Sequence, residues 1–344
     1  MIEAPRFWWL QRLSVPALLL APIAGLYGYV AGRRMRGAPK ATAPVPVICI
    51  GNYVVGGAGK TPTALAVARI ARGMGLNPGF LTRGYGGKAP TPLLVDPSLH
   101  GATEVGDEAL LLAAAGPVVV SPDRPAGLPL LAECGVDLII MDDGFQNPSL
   151  RKDLALIVVD GTAGIGNGRV IPSGPLRAPL RTQIIRSDAV VVIGPGKPGD
   201  RMVRRIARAG RIVLRGAVAP ATHRNWGQRS FLAFAGIGRP EKFFNTLDRA
   251  GVPLTDVKGF PDHHLYSEDD ARKLLARAEQ EGLELITTSK DHARLTRLEG
   301  ERAKLRERVV VFDVAMTFEN EERVAALIAE AVRKVRARAP SSPK

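Results

Sequence analysis

A glycine-rich stretch at residues 54–61 has the clearest chemistry in the sequence. It reads Val54-Val55-Gly56-Gly57-Ala58-Gly59-Lys60-Thr61, between a short apolar run and a stretch with helical spacing of apolar residues. A turn of this kind lets backbone N–H groups point at phosphate oxygens. Lys60 can then reach the outer phosphates, and the Thr61 hydroxyl can bind Mg²⁺. The stretch predicts a P-loop, although Val54 stands where the usual pattern begins with Gly. The alternative is a glycine-rich turn with an exposed lysine.

Two pairs of adjacent carboxylates could act on the same phosphates. The apolar run 138–141 ends in Asp142 and Asp143, and an acidic strand end in a P-loop protein is where Mg²⁺ is held. Asp107 and Glu108 open an apolar helix. At that position they could complement the helix dipole only, or they could supply a general base.

Histidine and arginine residues in loops complete the set of candidates. His263 and His264 are adjacent and follow Phe-Pro-Asp; a histidine can orient a partner or relay a proton near neutral pH. A purely structural role is the alternative, and a metal pair lacks a third ligand nearby. Arg83 and Arg177 stand in Gly/Pro-rich loops, where an arginine can reach a phosphate or can be merely solvated.

The charge balance points to an anionic partner. The 344 residues carry a formal net charge of +14, which suits phosphates, anionic lipid or nucleic acid. Aromatic residues make up only 5%, and neither a zinc-finger spacing nor an aromatic RNA-binding motif occurs, so no nucleic-acid partner is expected. Two cysteines are too few for a disulfide framework or a zinc site. No obligate protein partner is evident.

Residues 13–32 form an uncharged, largely apolar run with arginines on both sides. The run is just long enough to span a bilayer, but two prolines inside it weaken a straight helix, and positive charge on both flanks gives no orientation. We favour a helix that lies in the membrane interface, with Trp8 and Trp9 at headgroup level. A spanning helix, a cleaved signal peptide and a helix packed on the protein's own core are the alternatives.

Short Val/Ile/Leu runs alternate with helical patterns from residue 45 onwards. This alternation predicts an α/β fold of the P-loop NTPase type, with a mostly parallel sheet flanked by helices. A second series begins after residue 228 and predicts a second, smaller α/β lobe. In it, Ser267 and Asp270 match a helix capping box, and residues 309–314 are expected to form one strand.

Together these motifs resemble the tetraacyldisaccharide 4'-kinase family, the lipid A 4'-kinases of Gram-negative bacteria. The family's own loop also lacks the first glycine. The resemblance covers about residues 45–295, and its matching pieces in chain order are Gly51-Asn52 with Gly-Gly-Ala-Gly-Lys-Thr-Pro, Thr82-Arg83-Gly84-Tyr85-Gly86, Val105-Gly106-Asp107-Glu108, Asp142-Asp143-Gly144-Phe145-Gln146, Gly166-Asn167-Gly168 with Pro172-Ser173-Gly174-Pro175-Leu176-Arg177, Phe260-Pro261-Asp262-His263 and Thr287-Thr288-Ser289-Lys290-Asp291.

The resemblance implies an ATP- and Mg²⁺-dependent kinase. It would transfer the γ-phosphoryl group to the 4'-hydroxyl of an acylated glucosamine disaccharide 1-phosphate, giving lipid IVA, at the cytoplasmic face of the inner membrane as a peripheral or monotopic protein. By position, Asp107 matches the family's catalytic base and His263 its partner. Asp142 and Asp143 match the family's Walker B acids. The other matched polar residues of the site are Arg83, Tyr85, Glu108, Gln146 and Arg177.

Two positions depart from the family pattern. Ala178 stands where Glu often follows Pro-Leu-Arg, and Asn147 stands where His often follows Asp-Gly-Phe-Gln. Both departures concern local metal or substrate contacts and leave the main motifs intact. The predicted division is a membrane-associated segment at 1–37, a P-loop kinase domain at 38–222, a smaller C-terminal lobe at 223–338 and a disordered tail at 339–344.

Three other functions compete with the kinase. A GTPase needs Asn-Lys-x-Asp to recognise guanine, and the chain contains no Asn-Lys pair. A membrane-associated P-loop ATPase without a lipid acceptor is the alternative enzyme. A lipid- or nucleic-acid-binding module without catalysis would explain the positive charge but would leave the P-loop and both acidic pairs without a use.

Overall fold

A computed structural model describes residues 4–10, 14–57, 59–221, 226–227 and 229–338. Ala58 of the predicted P-loop and the predicted tail 339–344 lie outside this part of the chain. Two short 3₁₀ helices occur at Arg6–Trp9 and Arg124–Gly127. The α-helices are α1 Val15–Leu19, α2 Ala21–Arg36, α3 Lys60–Gly73, α4 Ala102–Val105, α5 Asp107–Ala113, α6 Leu128–Glu133, α7 Leu180–Arg186, α8 Lys197–Arg208, α9 Pro240–Arg249, α10 Glu268–Glu281, α11 Ser289–Arg294, α12 Gly300–Arg308 and α13 Glu321–Arg336. The strands are β1 Val47–Asn52, β2 Pro78–Thr82, β3 Leu93–Leu94, β4 Val118–Val120, β5 Leu138–Asp142, β6 Leu154–Asp160, β7 Ala189–Ile193, β8 Ile212–Pro220, β9 Phe231–Ala235, β10 Leu254–Gly259, β11 Glu284–Thr288, β12 Val309–Phe312 and β13 Val314–Phe318.

The first lobe is built on a sheet with the strand order β13-β8-β7-β6-β1-β5-β2-β4-β3. Its inner strands are parallel, whereas β13 and β3 run antiparallel to their neighbours at the two edges. β1 lies between β5 and β6, with Ile50 opposite Asp142. Because parallel strands end at the same edge of a sheet, the loop after β1 and the acids after β5 meet there. The predicted P-loop NTPase-like fold is confirmed.

Apolar residues cover both faces of this sheet, as expected for parallel strands. Successive side chains of a strand point to opposite faces, so Ile48 and Ile50 belong to a core shared with α3, α5 and α13. Val47 and Cys49 belong to the other core, which α2, α7 and α8 share. The two helical layers hold the carboxyl edge of the sheet in place.

The second lobe has its own parallel sheet, in the order β10-β9-β11-β12. Its helix α10 begins with the predicted capping box: Ser267 Oγ accepts from the Asp270 amide at 3.0 Å, and Asp270 Oδ2 accepts from the Ser267 amide at 2.9 Å. A separate core between α10, α12 and the sheet includes Leu232, Leu275 and Leu305. The lobe therefore packs around its own apolar set.

The end of the chain departs from the predicted division. The expected strand at 309–314 breaks at Asp313, and its two parts join different sheets: β12 pairs with β11, and β13 pairs with β8 of the first lobe. α13 then packs on α3, with Val324 and Ile328 in the first lobe's core. Residues from Val314 onward thus belong to the first lobe, because their apolar face is buried there.

The apolar N-terminal run forms two consecutive helices instead of one. α2 turns Ala24, Gly28, Gly32 and Met35 inward. Its opposite side, together with α1, exposes large apolar side chains, namely Val15, Leu18, Leu19, Ile23, Leu26, Tyr27, Tyr29 and Val30. No helix in the described part of the chain has the length and apolar character needed to cross a membrane.

Trp8 does not have the predicted place at a membrane surface. Its side chain is buried, and its Nε1 donates to the Pro172 carbonyl at 2.9 Å. The Asn167 amide donates to the Trp8 carbonyl at 2.7 Å, and Ser173 Oγ donates to the Ala17 carbonyl at 2.5 Å. The N-terminal segment is therefore bonded to the loop between β6 and α7, because a tryptophan N–H needs a partner when it is buried.

Candidate active site

The glycine-rich loop joins β1 to α3 and opens toward solvent. Gly56 and Gly59 have positive φ angles of 102° and 86°, a conformation that favours glycine. Apart from the neighbouring residues in the chain, no described atom lies within 4 Å of where a Cβ on Gly56 or Gly57 would be. Asn52 Nδ2 donates to the Gly56 carbonyl at 2.9 Å and so holds one turn of the loop. The loop has room for a phosphate chain and, with the first amides of α3, the donors to bind it.

Thr61 and Asp142 form a pair with unused metal-binding capacity. Thr61 Oγ1 donates to Asp142 Oδ2 at 3.2 Å. The other carboxylate oxygen of Asp142 is buried and has no hydrogen-bond partner, which is costly unless something occupies it. Burial, then the charge of Glu108, raises the pKa of Asp142 to about 7, and a cation would favour the ionised form. These oxygens fit Mg²⁺.

The remaining ligands for such an ion would have to come from phosphate and water. Among the residues that the structure describes, no group of three or more His, Cys, Asp or Glu side chains could hold a metal. Mg²⁺ commonly takes only one or two protein carboxylates and completes its octahedron with phosphate oxygens and water. The geometry therefore suits a nucleotide-bound ion better than a resident metal.

Asp143 links the two cations of the loop region. Arg177 donates to it with both Nη atoms, at 2.8 and 3.1 Å, and Lys60 Nζ lies 3.7 Å from its Oδ2. Burial alone would raise the pKa of Asp143, but Lys60 and Arg177 outweigh burial and lower it. Lys60 is only 7% exposed. Asp143 therefore stays ionised and orients the lysine over the loop.

A second charged group lies where α5 of the first lobe meets the second lobe. His263 Nδ1 is 3.3 Å from Asp107 Oδ2, and Arg294 donates to the same oxygen through Nε at 2.9 Å and through Nη2. Arg294 also donates to Asp291 Oδ1 at 2.8 Å. Burial by itself raises the pKa of Asp107, but the His263 hydrogen bond and the charges of Lys290 and Arg294 hold it well below its usual range. Asp107 is therefore a buried carboxylate that is ionised at neutral pH.

Glu108 connects this group to the P-loop. Lys290 Nζ donates to Glu108 Oε1 at 2.7 Å. Burial raises the pKa of Glu108, but the charges of Lys290 and Lys60 more than offset it and lower the pKa. The charge of Lys60 thus acts on Glu108, and Glu108 in turn raises the pKa of Asp142, so the two charged groups lie near each other.

Both charged groups contain a non-glycine residue with an unfavourable backbone conformation. Among the described residues, Asp143, His263 and Arg297 are the non-glycine residues with positive φ, at 53°, 57° and 59°. Such a conformation is unfavourable for most residues and persists where surrounding contacts enforce it. Two of the three carry side chains of the candidate site.

The structure gathers most of the predicted residues, but not in equal roles. Tyr85 is exposed, with its ring centroid 5.4 Å from that of His263. Gln146 Nε2 donates to the Asn52 carbonyl at 2.8 Å and to Gln183 Oε1 at 2.9 Å, beneath the loop. Arg83 is exposed in the loop after β2, and the described residues offer it no hydrogen bond or ion pair.

The beginning of the predicted loop packs against another segment. Val54 is buried, and its carbonyl accepts from Arg177 Nε at 3.1 Å. The Val55 amide donates to the Pro175 carbonyl at 2.9 Å. These bonds fix the start of the loop to the β6–α7 connection. Val54 forms an isolated β-bridge with Leu176 there, so position 54 does not need glycine.

The two departures from the family pattern have local structural roles. Ala178 is fully buried in the first lobe's core, and its carbonyl accepts from Gln183 Nε2 at 2.8 Å. Asn147 Oδ1 accepts from the Ser149 amide at 2.9 Å, which is a common turn-forming contact.

Sequence reasoning missed two buried polar residues that hold the site, Arg294 and Gln183, and gave no role to Asp291, which it had only placed in a matching motif. Arg294 and Asp291 lie on α11, and Gln183 lies on α7 with its amide donating to the Tyr53 and Ala178 carbonyls. Arg294 follows Lys290 by four residues, so both project from one side of α11 toward the acids at 107 and 108. That spacing was the one signal in the sequence that could have identified Arg294.

These features define a P-loop nucleotide-binding protein: a strand, a glycine-rich loop and a helix, with a buried acid at the end of the neighbouring strand. A sequence model of one family, described as Tetraacyldisaccharide-1-P 4'-kinase, matches residues 16–333. The chain belongs to that family, and the resemblance found in its motifs is confirmed.

Individual proteins agree with this assignment. The chain is 52% identical over 296 residues to the tetraacyldisaccharide 4'-kinase of Methylobacterium sp. (strain 4-46), which covers 86% of this chain and 89% of that protein. It is 45% identical over 336 residues to the protein of the same name from Brucella melitensis biotype 2 (strain ATCC 23457), covering 98% of each. A crystal structure of LpxK from Aquifex aeolicus, described as in complex with ATP, superposes with a TM-score of 0.72 at 26% identity, covering 92% of this chain and 99% of that one.

Proposed function

We propose that this chain transfers the γ-phosphoryl group of ATP to the 4'-hydroxyl of a tetraacyldisaccharide 1-phosphate, forming lipid IVA. Its family membership supports this activity, because its relatives carry the name of this kinase and the superposed LpxK structure is described with ATP. The observation that carries the proposal is the contact of Asp107 with His263. This pair would provide a proton acceptor near the phosphate-binding loop.

The donor half of the reaction is assigned to the loop after β1. Its amides at residues 54–61 would bind the ATP phosphates, and Lys60 would neutralise charge on the group in transfer. Thr61 and Asp142 would hold Mg²⁺, which when bound offsets phosphate charge. Asp143 and Arg177 would keep Lys60 in place.

The acceptor half is assigned to the contact between the lobes. The 4'-oxygen attacks the γ-phosphorus as the bond from that phosphorus to the β,γ-bridging oxygen breaks, and ADP leaves. The hydroxyl proton goes to the Asp107–His263 pair. Glu108, Arg83 and Tyr85 are assigned to the rim that would bind the sugar and its phosphate. Gln146, bonded beneath the loop, is assigned a positioning role.

One assay separates this function from its alternatives. The purified protein is given ATP labelled at the γ-phosphate together with the tetraacyldisaccharide 1-phosphate in detergent, and the label is followed. We expect it on the lipid. Label only in inorganic phosphate would indicate an ATPase without a lipid acceptor, and label remaining in ATP would contradict an enzymatic function under these conditions.

We expect the Arg294→Gln variant to lose activity in a pH-dependent way. Without the guanidinium, the pKa of Asp107 rises from its depressed value, so Asp107 becomes protonated at a higher pH as the solution is acidified. The acidic limb of the kcat–pH profile should therefore move to higher pH. At pH 7 we expect kcat to fall about tenfold, less than the ~10²–10⁴-fold loss expected when the general base itself is removed.

Two further variants make that measurement specific. Arg294→Lys retains a positive charge and should restore part of the pH profile. Because it also keeps a partner for the buried acids, it should fold even if Arg294→Gln does not. Arg302→Gln is the matched control, since Arg302 forms a partly exposed ion pair with Glu268 in the same lobe. An unshifted profile for a folded Arg294→Gln protein would show that this arginine serves stability only.

For the location of the enzyme, we infer the cytoplasmic face of the inner membrane. The exposed apolar side of α1 and α2 supports this, because such a surface next to three arginines suits a helix lying in a lipid interface. The acyl chains of the substrate would enter from the same layer. If the intact protein fails to sediment with phospholipid vesicles, this location is wrong.

A further inference from the structure

Three helices on one face of the large sheet carry an unusually uniform charge. α2, α7 and α8 all contribute buried residues to the same core, including Met35, Ile184 and Ile206. On their outer sides, α2 ends with three arginines, α7 has two, and α8 has one lysine and four arginines. The one acid in these helices, Asp200, is paired with Arg215 at 3.0 Å.

The basic ends of these helices adjoin one another. Arg186 at the end of α7 donates through Nη2 to the Arg36 carbonyl at the end of α2, at 2.9 Å. Arg211, just after α8, donates through Nη2 to the Ile185 carbonyl of α7 at 2.8 Å. Ile185 itself is 56% exposed amid these cations. The surface is therefore continuous from the apolar side of α2 to α8.

The opposite face of the same sheet lacks this charge pattern. There Lys334 of α13 pairs with Glu330 of the same helix, and Arg69 of α3 pairs with Glu321. Over its whole length α13 has four basic and three acidic side chains, whereas α8 has five basic side chains and one acidic one, and its Arg204, Arg205 and Arg208 are exposed. The asymmetry is a property of one face and does not follow from the net charge.

We propose that the outer surface of α7 and α8 is a second membrane contact, occupied by an anionic lipid bilayer. This inference rests on the proposed location of the enzyme and extends it to an orientation. The α2–α7–α8 face of the sheet lies toward the membrane, with the strands roughly parallel to it. The apolar side of α1 and α2 enters the interface, while α8 adds electrostatic attraction. The active site then opens at the carboxyl edge of the sheet, beside the lipid layer.

The test compares two variants of the full chain with equal loss of charge. One replaces Arg204, Arg205 and Arg208 with Gln, and the control replaces Arg323, Arg333 and Arg336 of α13 with Gln on the opposite face. Binding is measured by sedimentation with phosphatidylcholine vesicles, with and without phosphatidylglycerol. Each basic residue near an anionic surface is worth about fivefold in binding. We expect the α8 variant to bind the anionic vesicles about 10- to 100-fold more weakly, and the control to lose little.

The possible outcomes distinguish a failure of the proposed membrane contact from a failure of the proposed kinase function. Added salt should weaken binding of the intact protein and of the control more than binding of the α8 variant. Both variants should keep kinase activity in detergent micelles, because neither touches the site. Equal loss in the two variants would overturn the proposal, as would an α8 variant that loses affinity for duplex nucleic acid but not for vesicles. Lack of kinase activity in all proteins would count against the proposed function alone.

Discussion

The Lys60→Ala protein will fold normally and lose its kinase activity. Lys60 is nearly buried, and its ammonium group lies at the open glycine-rich loop, 3.7 Å from Asp143. A fixed cation there stabilises the charge that develops on the transferred phosphoryl group. Removing one such group typically costs about 10²–10³-fold in turnover, so we expect kcat to fall by at least this factor.

The fold should survive because Asp143 keeps a partner. Arg177 holds both of its carboxylate oxygens, at 2.8 and 3.1 Å, without help from Lys60. Thermal unfolding and vesicle binding should therefore match the unmodified protein. Lys304→Ala, which removes an exposed lysine paired with Glu301, is the control. Near-normal lipid phosphorylation by a folded Lys60→Ala protein would refute the assignment of the loop.

Local sequence patterns predicted the centre of the first lobe correctly. β1, β5, β6 and β7 are short apolar runs bounded by polar or glycine residues, and a buried parallel strand has that pattern. β2 was not predicted, because its five residues include Pro78 and Gly79. The glycine is required there: a Cβ at Gly79 would lie 2.6 Å from Val136. Tertiary packing selected this strand against its local preference.

The path of the chain between the lobes could not be read from local patterns. Residues 309–318 are almost continuously apolar, so no hydrophobic signal separates β12 from β13. The break is set by Asp313, whose carboxylate accepts from Ser289 Oγ at 2.5 Å. Which sheet each part joins depends on partners far away in the sequence, and one sequence without contacts does not specify them.

The candidate site was predictable where a motif directly follows a recognisable apolar strand. The glycine-rich loop and the acids at 142 and 143 were found because they follow apolar strands. Arg294 was not, since an arginine near the end of a short helix usually faces water. Its role depends on Asp107, 187 positions earlier. Its side chain is only 2% exposed, and burial of a charge in this way occurs only where partners are provided.

Arg294 and two neighbouring cationic or titratable residues connect the second lobe to the acids at the start of α5. α11 supplies Lys290 to Glu108 and Arg294 to Asp107, and the loop before α10 supplies His263. All three lie on the second lobe, whereas both acids lie on the first. The proposed acceptor side of the site would therefore be complete only when the lobes are together, and this would exclude water from the transfer step.

We expect Asp107 and His263 to act as one proton-handling unit across this contact. Each single replacement by Ala should lower kcat by about 10²–10⁴-fold, the usual contribution of general acid–base catalysis. Residues that act as a unit lose little more when both are removed than when one is. The double variant should therefore be about as slow as the slower single variant.

The adjacent histidine provides a matched control for this experiment. His264 Nε2 lies 3.0 Å from Asp270 Oδ2, and its ring stacks on Phe260 with centroids 4.7 Å apart. It supports the start of α10, so His264→Ala should lower stability with little change in kcat. Turnover is measured for all variants, and ATP affinity is measured separately by equilibrium binding. If the losses from Asp107→Ala and His263→Ala multiply, or if either single variant loses ATP affinity in place of turnover, the two residues do not share the proton. In that case Asp107 only anchors Arg294, and His263 only shapes its loop.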